Sequence, residues 1–561
     1  MPRYLITSAI PYVNGVKHLG NLVGSLLPAD VHARFRRQTG AEVLFICGTD
    51  DHGTPSELGA AAAGKDVSSF CDGQHANQAE IYQRFGLSFD YFGRSSSTQN
   101  HQLTQHFYQR LDAAGLIEER NFQQYWSETD KRFLPDRYIV GTCPQCGDEG
   151  ARGDQCDHCG TLLDPLDLKN PRSAISGDSD LQYRTTRHLF LLQSHLVDRI
   201  RDWIGERKGW PSWVRSLALS WLNESLHDRC ITRDLSWGIP VPRDGFEDKV
   251  FYVWFDAPIA YIGATKEWAD RDPHTRDWKR WWWEADDVQY VQFLGKDNVP
   301  FHAISFPATL LGSGEPWKTA DVIKGFHWLT YEGGKFSTSQ KRGIFTDAAL
   351  EALQADLWRW WLIANAPETS DTDFEFSRFA QDVSKDLADV FGNLATRTTA
   401  FVHRAFDGYI PSGGEPAAEE RALTCEVEET FTTLTTAHEN LQFRQAAALT
   451  RALWVRTNRY LQEQEPWALV RTDFERAEVV TRTAVNLVSL CASVSWCIIP
   501  ILATEVLIKL SEDADCPAWP TVPVATSLNA NKGKKISKIP PLVAKFSPGE
   551  IQVLAQRFSG K

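Results

Sequence analysis

The sequence predicts an α/β chain: a doubly wound parallel sheet, split by a cysteine-bearing insertion and followed by an all-α helical bundle. Three observations carry this expectation. Short β-branched or apolar runs alternate with amphipathic helical stretches through the first quarter of the chain. A polar segment holding four clustered cysteines interrupts that alternation before it resumes. Beyond Phe374 nearly every stretch has helical periodicity.

Taken in order, Arg3 to Ser8 reads as a strand, closed by Ile10-Pro11-Tyr12 and the turn residues Asn14-Gly15. A helical pattern runs from His18 to about Gly40. Val43 to Gly48 is wholly apolar and therefore a central, parallel strand. A β-α-β unit of this kind binds ligands beyond the carboxyl ends of its strands, and residues 1–115 form its first half. The insertion occupies 116–228, and strand signals return at Val250 to Trp254 and Val288 to Leu294 for a second half over 229–320. A linking segment with a glycine-rich loop covers 321–376, and helices fill 377–530, with breakers at Pro411-Ser-Gly-Gly and Pro466. Residues 531–561 read as a basic tail, with seven basic side chains against one acidic, solvated or touching a phosphate backbone. Ala484 to Ala503 is long enough to span a bilayer. Asn486 and three serines interrupt it, so it reads as a buried helix and no membrane is expected. Trp278 to Trp283 reads as a partly buried aromatic turn.

Composition bounds the function. A chain of 561 residues with 42% hydrophobic and 23% charged residues is ordinary globular protein. A net charge of -13 argues against general coating of nucleic acid, though a local basic patch is compatible with it. The single methionine is Met1, so the 30 Phe and 21 Trp are expected to fill the core gaps that methionine usually fills. Seven of the 11 cysteines are scattered with no disulfide framework, and the N-terminus lacks a signal-peptide core, which together read as reducing cytoplasm.

Two elements suit a nucleotide. Lys17-His18-Leu19-Gly20-Asn21 lies where a strand hands over to a helix, whose N-terminus offers free amides and partial positive charge. Gly20 permits close approach, and His18 and Asn21 can donate to a phosphate. Far downstream, Gly333-Gly-Lys335-Phe-Ser-Thr338-Ser-Gln-Lys341-Arg342-Gly343 forms a loop whose cations can close over a pyrophosphate. In the insertion, Cys143-Pro-Gln-Cys146 and Cys156-Asp-His-Cys159 are two knuckles that close a tetrahedral, structural zinc site.

The two nucleotide elements resemble the signature motifs of class I aminoacyl-tRNA synthetases, and the methionyl-tRNA synthetases are the closer match. Supporting strings are Ala9-Ile-Pro-Tyr-Val-Asn-Gly, Phe45-Ile-Cys-Gly-Thr-Asp-Asp-His-Gly-Thr, Arg233-Asp-Leu-Ser-Trp-Gly-Ile-Pro, Tyr252-Val-Trp-Phe-Asp-Ala-Pro, Phe293-Leu-Gly-Lys-Asp-Asn and Phe391-Gly-Asn-Leu-Ala-Thr-Arg. The resemblance implies a Rossmann-type catalytic domain, a zinc-bearing insertion and a helical anticodon-binding domain. It implies that Asp50 holds the substrate ammonium and that Arg233 orients the site or balances Asp50. Ile10, Tyr12, Trp254, Ala257, Pro258, Tyr261 and His302 would enclose a thioether side chain, which favours aromatic contact. Gly295 and Asp297 would meet the ATP ribose, while His18, Gly20, Asn21, Lys335, Thr338 and Lys341 would serve the phosphates. Asn393 and Arg397 would read anticodon bases on which Trp467 stacks.

Two departures stand out. The last histidine of the first motif is Asn21, and the second lysine of the late motif is Thr338. One of Lys335, Lys341 and Arg342 is expected to supply the missing charge. The resemblance implies a monomeric, cytoplasmic ligase that uses ATP with Mg2+, L-methionine and a tRNA with a CAU anticodon, together with one structural Zn2+. Two alternatives stay open: a paralogue that adenylates an amino acid for another pathway, and a non-catalytic tRNA-binding relative.

Overall fold

The computed structural model describes residues 2–559 except 155, 157, 160, 162, 224–225, 337–341 and 521–527. Its centre is a five-stranded parallel sheet of β1 (Arg3–Ser8), β2 (Glu42–Thr49), β3 (Tyr91–Arg94), β4 (Val288–Gly295) and β5 (Val322–Phe326). The spatial order is β5-β4-β1-β2-β3, every neighbouring pair being parallel. The order reverses between β1 and β4, which opens the ligand crevice of a doubly wound sheet there.

The apolar runs are explained by burial on both faces. Ile6, Phe45, Cys47, Val291 and Phe293 enter one core, while Leu5, Leu44, Ile46, Tyr290 and Leu294 enter the other. The strand period of two thus feeds two hydrophobic layers at once.

Three expectations about element limits change. The edge strand β5 lies within the stretch read as a linking segment. The strand expected over Val250 to Trp254 stops at Phe251, and a short helix, Val253–Asp256, follows. The helices Val197–Glu206 and Ser212–Asn223 fall inside the predicted insertion, yet Ile200, Trp203, Ile204, Val214 and Ala218 pack in the core of the sheet domain. Indole hydrogen bonds hold them there: Trp203 donates to Thr319 Oγ1 at 2.9 Å and Trp210 to the Asp321 carbonyl at 3.0 Å. By packing, the insertion is the antiparallel ribbon of Ile117–Ser127 and Leu181–Leu191 with the cysteine knuckle at its far end.

The C-terminal region is helical. Phe474–Ser495 is apolar enough for a membrane by composition, but 83% of its apolar window is buried inside the fold. It also ends before Pro500, which starts a separate helix, Pro500–Lys509. Trp358, Trp360, Trp361 and Trp454 are fully buried, filling volume in a body without methionine. Arg359 joins the two domains. Its guanidinium reaches Asp30 Oδ2 at 2.6 Å and the carbonyls of Ile498 and Phe85 at 2.8 and 3.1 Å.

The basic tail is not a solvated tail. Ile536, Ile539 and Phe558 are buried, and Pro548–Arg557 is helical. Lys534, Lys545 and Arg557 pair with Glu512, Asp389 and Glu351 at 2.9, 2.5 and 2.7 Å. The acidic body attracts this segment, and its apolar residues fix it in place.

Candidate functional site

A cavity of about 730 Å³ opens at the carboxyl ends of β1, β2 and β4. Every residue expected to hold the amino acid lines it: Ile10, Tyr12, Asp50, Arg233, Trp254, Ala257, Pro258, Tyr261 and His302. So do His18, Gly20, Asn21, Gly295 and Asp297.

Asp50 follows β2 and is held by backbone bonds, its amide to the Pro11 carbonyl at 2.8 Å and its carbonyl to the Val13 amide at 2.9 Å. Only 3% of it is exposed, and Oδ1 has no hydrogen-bond partner. Burial, reinforced by Asp256 and Asp51, pushes its carboxyl well above the usual range. A buried carboxylate with an unused oxygen is a seat for a cation.

The adjoining wall is aromatic. Trp254 stacks on Phe301 with centroids 3.7 Å apart and meets Tyr12 edge-on at 6.1 Å. Tyr261 and His302 form a fixed pair, Oη to Nε2 at 2.9 Å, with His302 Nδ1 at 3.1 Å from the Asn298 carbonyl. Nδ1 must donate to that carbonyl, so Nε2 accepts from the tyrosine. Burial, opposed in part by the Asn298 bond, lowers the imidazole pKa to about 4, and the ring is neutral. Phe301 is a wall residue that periodicity did not mark, since it lies one position before His302 in a core helix.

The two nucleotide motifs meet. His18 caps the helix that starts at Leu19, its Nδ1 accepting from the Asn21 amide at 3.3 Å while Asn21 Oδ1 accepts from the His18 amide at 3.2 Å. Asn21 is therefore half of a reciprocal cap. The Leu19 amide donates to the Ile344 carbonyl at 3.0 Å, and Thr346 donates through its amide and hydroxyl to the Lys17 carbonyl at 2.8 and 2.9 Å. Phe336 stacks on the His18 ring at 4.5 Å. Burial, with Lys17 adding to it, lowers the His18 pKa to about 3, so the ring is a neutral hydrogen-bonding group. A Cβ at Gly295 would lie 2.7 Å from Asp297 Oδ1, so a side chain there would displace the Asp297 carboxylate from its place in the cavity.

Two expectations need correction or limits. Arg233 does not pair with Asp50. It bonds Asp136 of the insertion at 2.9 Å and lies 3.6 Å from the Tyr252 ring centroid. Thr338, Lys341 and the Lys335 side chain lie outside the described residues, whereas Arg342 donates to the Tyr331 and Glu332 carbonyls at 3.0 and 3.1 Å. Arg342 is therefore a loop staple, and it does not line the cavity.

The four cysteines converge. Cys143 and Cys159 sulfurs are 3.9 Å apart, Cys146 and Cys156 sulfurs 3.6 Å, and all four lie within 4.8 Å. A tetrahedron of thiolates at about 2.3 Å from zinc has edges of about 3.8 Å, so the donor set fits that ion. In the helical domain, Asn393 is exposed on Asn393–Ala405. The Arg397 guanidinium lies 5.6 Å from the centroid of Trp467, which is 37% exposed.

Comparison with known proteins agrees with this geometry. A family model described as tRNA synthetases class I (M) matches residues 4–399, and one described as the anticodon binding domain of methionyl tRNA ligase matches 410–561. A methionine--tRNA ligase of Caulobacter vibrioides is 55% identical over 570 aligned residues, covering 100% of both chains. One from Streptomyces avermitilis is 52% identical over 571, again covering 100% of both. Among solved structures, Mycobacterium tuberculosis methionyl-tRNA synthetase in complex with methionyl-adenylate shares the fold at a TM-score of 0.77. That match has 24% identity and covers 97% of this chain and 100% of that one.

Proposed function

The chain belongs to the class I tRNA synthetases of the methionyl type, and from that premise we propose how its residues activate L-methionine with ATP and load it onto tRNA. The observation that carries the assignment is the unpaired Asp50 oxygen, set between an aromatic wall and the helix terminus at His18. The α-ammonium pairs with Asp50. The thioether lies against Trp254, Tyr261 and the neutral His302 ring, where soft aromatic contact favours sulfur over a shorter alkyl chain.

ATP lies along the first motif, with its ribose toward Gly295 and Asp297 and its phosphates on the Leu19 helix terminus. Magnesium bound to the nucleotide would offset phosphate charge. A methionine carboxylate oxygen attacks the α-phosphorus, a mixed anhydride forms, and the bond to pyrophosphate breaks with its electron pair leaving on pyrophosphate. The terminal ribose hydroxyl of the tRNA then attacks the acyl carbon and expels AMP. No protein nucleophile takes part, so positioning and fixed dipoles supply the rate. Lys335 of the late motif would add a cation to the phosphate contacts.

Cys143, Cys146, Cys156 and Cys159 would hold one zinc that clamps the knuckle, and Asp136 from the same insertion would set Arg233 at the cavity wall. Asn393, Arg397 and Trp467 would read the CAU anticodon, the last by stacking. Full-length identity to methionine--tRNA ligases supports the complete synthetase over either a paralogue of another pathway or a non-catalytic relative. Methionine-dependent exchange of pyrophosphate into ATP, followed by charging of purified tRNA, tests this directly. Exchange with another amino acid in preference to methionine would overturn it.

A further inference from the structure

We infer that the Lys17 ammonium is a catalytic group for adenylate formation, placed where the methionine carboxylate meets the α-phosphate and supplying the cation that the late motif lacks at Thr338. The inference rests on the function proposed above and names a residue outside both motifs' usual cationic positions.

Three observations lead to it. First, Thr338 stands where a lysine is expected, and Arg342 is tied to the Tyr331 and Glu332 carbonyls. Arg342 is thus committed to its own loop, and a cation on the first-motif side of the cavity can fill the role. Second, Lys17 precedes the helix cap His18 and lines the same cavity as Asp50. Its carbonyl is held by both donors of Thr346, just after the late loop. The residue thus shares one cavity with the expected phosphate seat and the expected ammonium seat, and its backbone is tied to Thr346, downstream of the late motif.

Third, its charge is unspent. Nζ donates to Asn14 Oδ1 at 2.8 Å, and among the described residues no carboxylate forms an ion pair with it. A half-buried ammonium with one neutral acceptor is poorly solvated, and an arriving anion repairs that deficit. Burial, opposed in part by Asp50, brings its pKa down to about 7, and a phosphate alongside would restore the proton. The adjacent Gly20 amide also has no acceptor among the described residues, so two donors face the same opening.

In the step itself, the carboxylate oxygen forms its bond to the α-phosphorus as the α–β bridging oxygen departs with the bonding pair. Negative charge gathers on the non-bridging α-oxygens, and the Lys17 ammonium donates to one of them without giving up its proton.

The experiment compares Lys17→Gln, Lys17→Arg and the double variant Lys17→Gln/Thr338→Lys in methionine-dependent pyrophosphate exchange, with thermal midpoints recorded for each. The wild-type chain serves as the control for the functional reading, because failure of wild type to exchange with methionine sinks that reading and not this one. With wild type active, Lys17→Gln is expected to lower kcat by at least about tenfold, with a much smaller change in KM for methionine. Arginine should recover most of the rate, and a lysine at 338 should recover part of it. Lys17→Gln exchanging within about twofold of wild type would overturn the inference. So would a slow Lys17→Gln enzyme that neither arginine at 17 nor lysine at 338 improves.

Discussion

At the residue scale, the chemistry concentrates on Asp50. Its carboxyl is raised by burial and by Asp256 and Asp51, yet it has to be ionised to hold an ammonium. The kcat/KM for methionine should therefore fall as pH is lowered, with an apparent pKa above the ordinary carboxylate range. Asp50→Asn should lower kcat/KM by roughly ten- to a hundredfold, the worth of one charged hydrogen bond, and abolish that pH dependence. Exchange assays across pH check both, and an unchanged profile in the variant would contradict the role. His302 shows how much a residue's meaning depends on its partners. The sequence allows either a pocket group or a structural histidine. The Tyr261 and Asn298 bonds make it both, a fixed neutral wall.

At the element scale, helix termini and short helices place the working groups. Trp467 follows Pro466 at the first turn of Pro466–Thr472, directly after Glu465 in the left-handed region at φ 43°. That turn presents the indole beside Arg397. Trp467→Ala should raise KM for tRNA in charging while leaving pyrophosphate exchange unchanged, because the two substrates are recognised on different domains. Equal effects in both assays would argue for a packing role. Helix Ala355–Ala364 carries Arg359 into the domain junction. Burial alone would raise the Asp30 pKa, but Arg34 and Arg359 hold it down to about 2. The stability from this pairing is fully present above the ordinary carboxylate pKa and is lost as pH falls toward 2. Arg359→Leu should cost about 1.5–3 kcal/mol in denaturant unfolding at neutral pH, since it leaves the buried Asp30 with Arg34 as its one remaining guanidinium partner. The difference from wild type should shrink in acid.

At the scale of the whole molecule, the insertion forms part of the cavity wall, through Asp136, Arg137, Asp154 and Cys156 among others. Arg233 is a wall residue whose partner, Asp136, belongs to the knuckle region. Metal analysis should find one zinc per chain. Cys143→Ser should lose it and lower kcat/KM for methionine, because Cys156 of the same quartet and the neighbouring Asp154 line the cavity. Normal kinetics in a zinc-free variant would separate the two sites. The methionine-free body is a second global feature. Trp282, Trp358, Trp360, Trp361 and Trp454 are fully buried, so large rigid rings occupy space that methionine often fills adaptably.

Local pattern was enough for the strands Arg3 to Ser8 and Val288 to Leu294 and for the cysteine quartet, and the resemblance carried by the motif strings named the residues around the cavity. Apolar runs, doubled C-x2-C pairs and ordered motif strings are local signals, and each survives being read one segment at a time. Three-dimensional packing shows what no segment shows alone: helices within the insertion join the sheet core, the basic segment 531–559 folds onto the acidic body, and Arg233 pairs with Asp136. It also shows that Lys17, beside the first motif, lines the cavity and forms no ion pair among the described residues. These outcomes depend on contacts between residues far apart in the chain, where burial and charge are fixed by what packs opposite, and no local pattern records that.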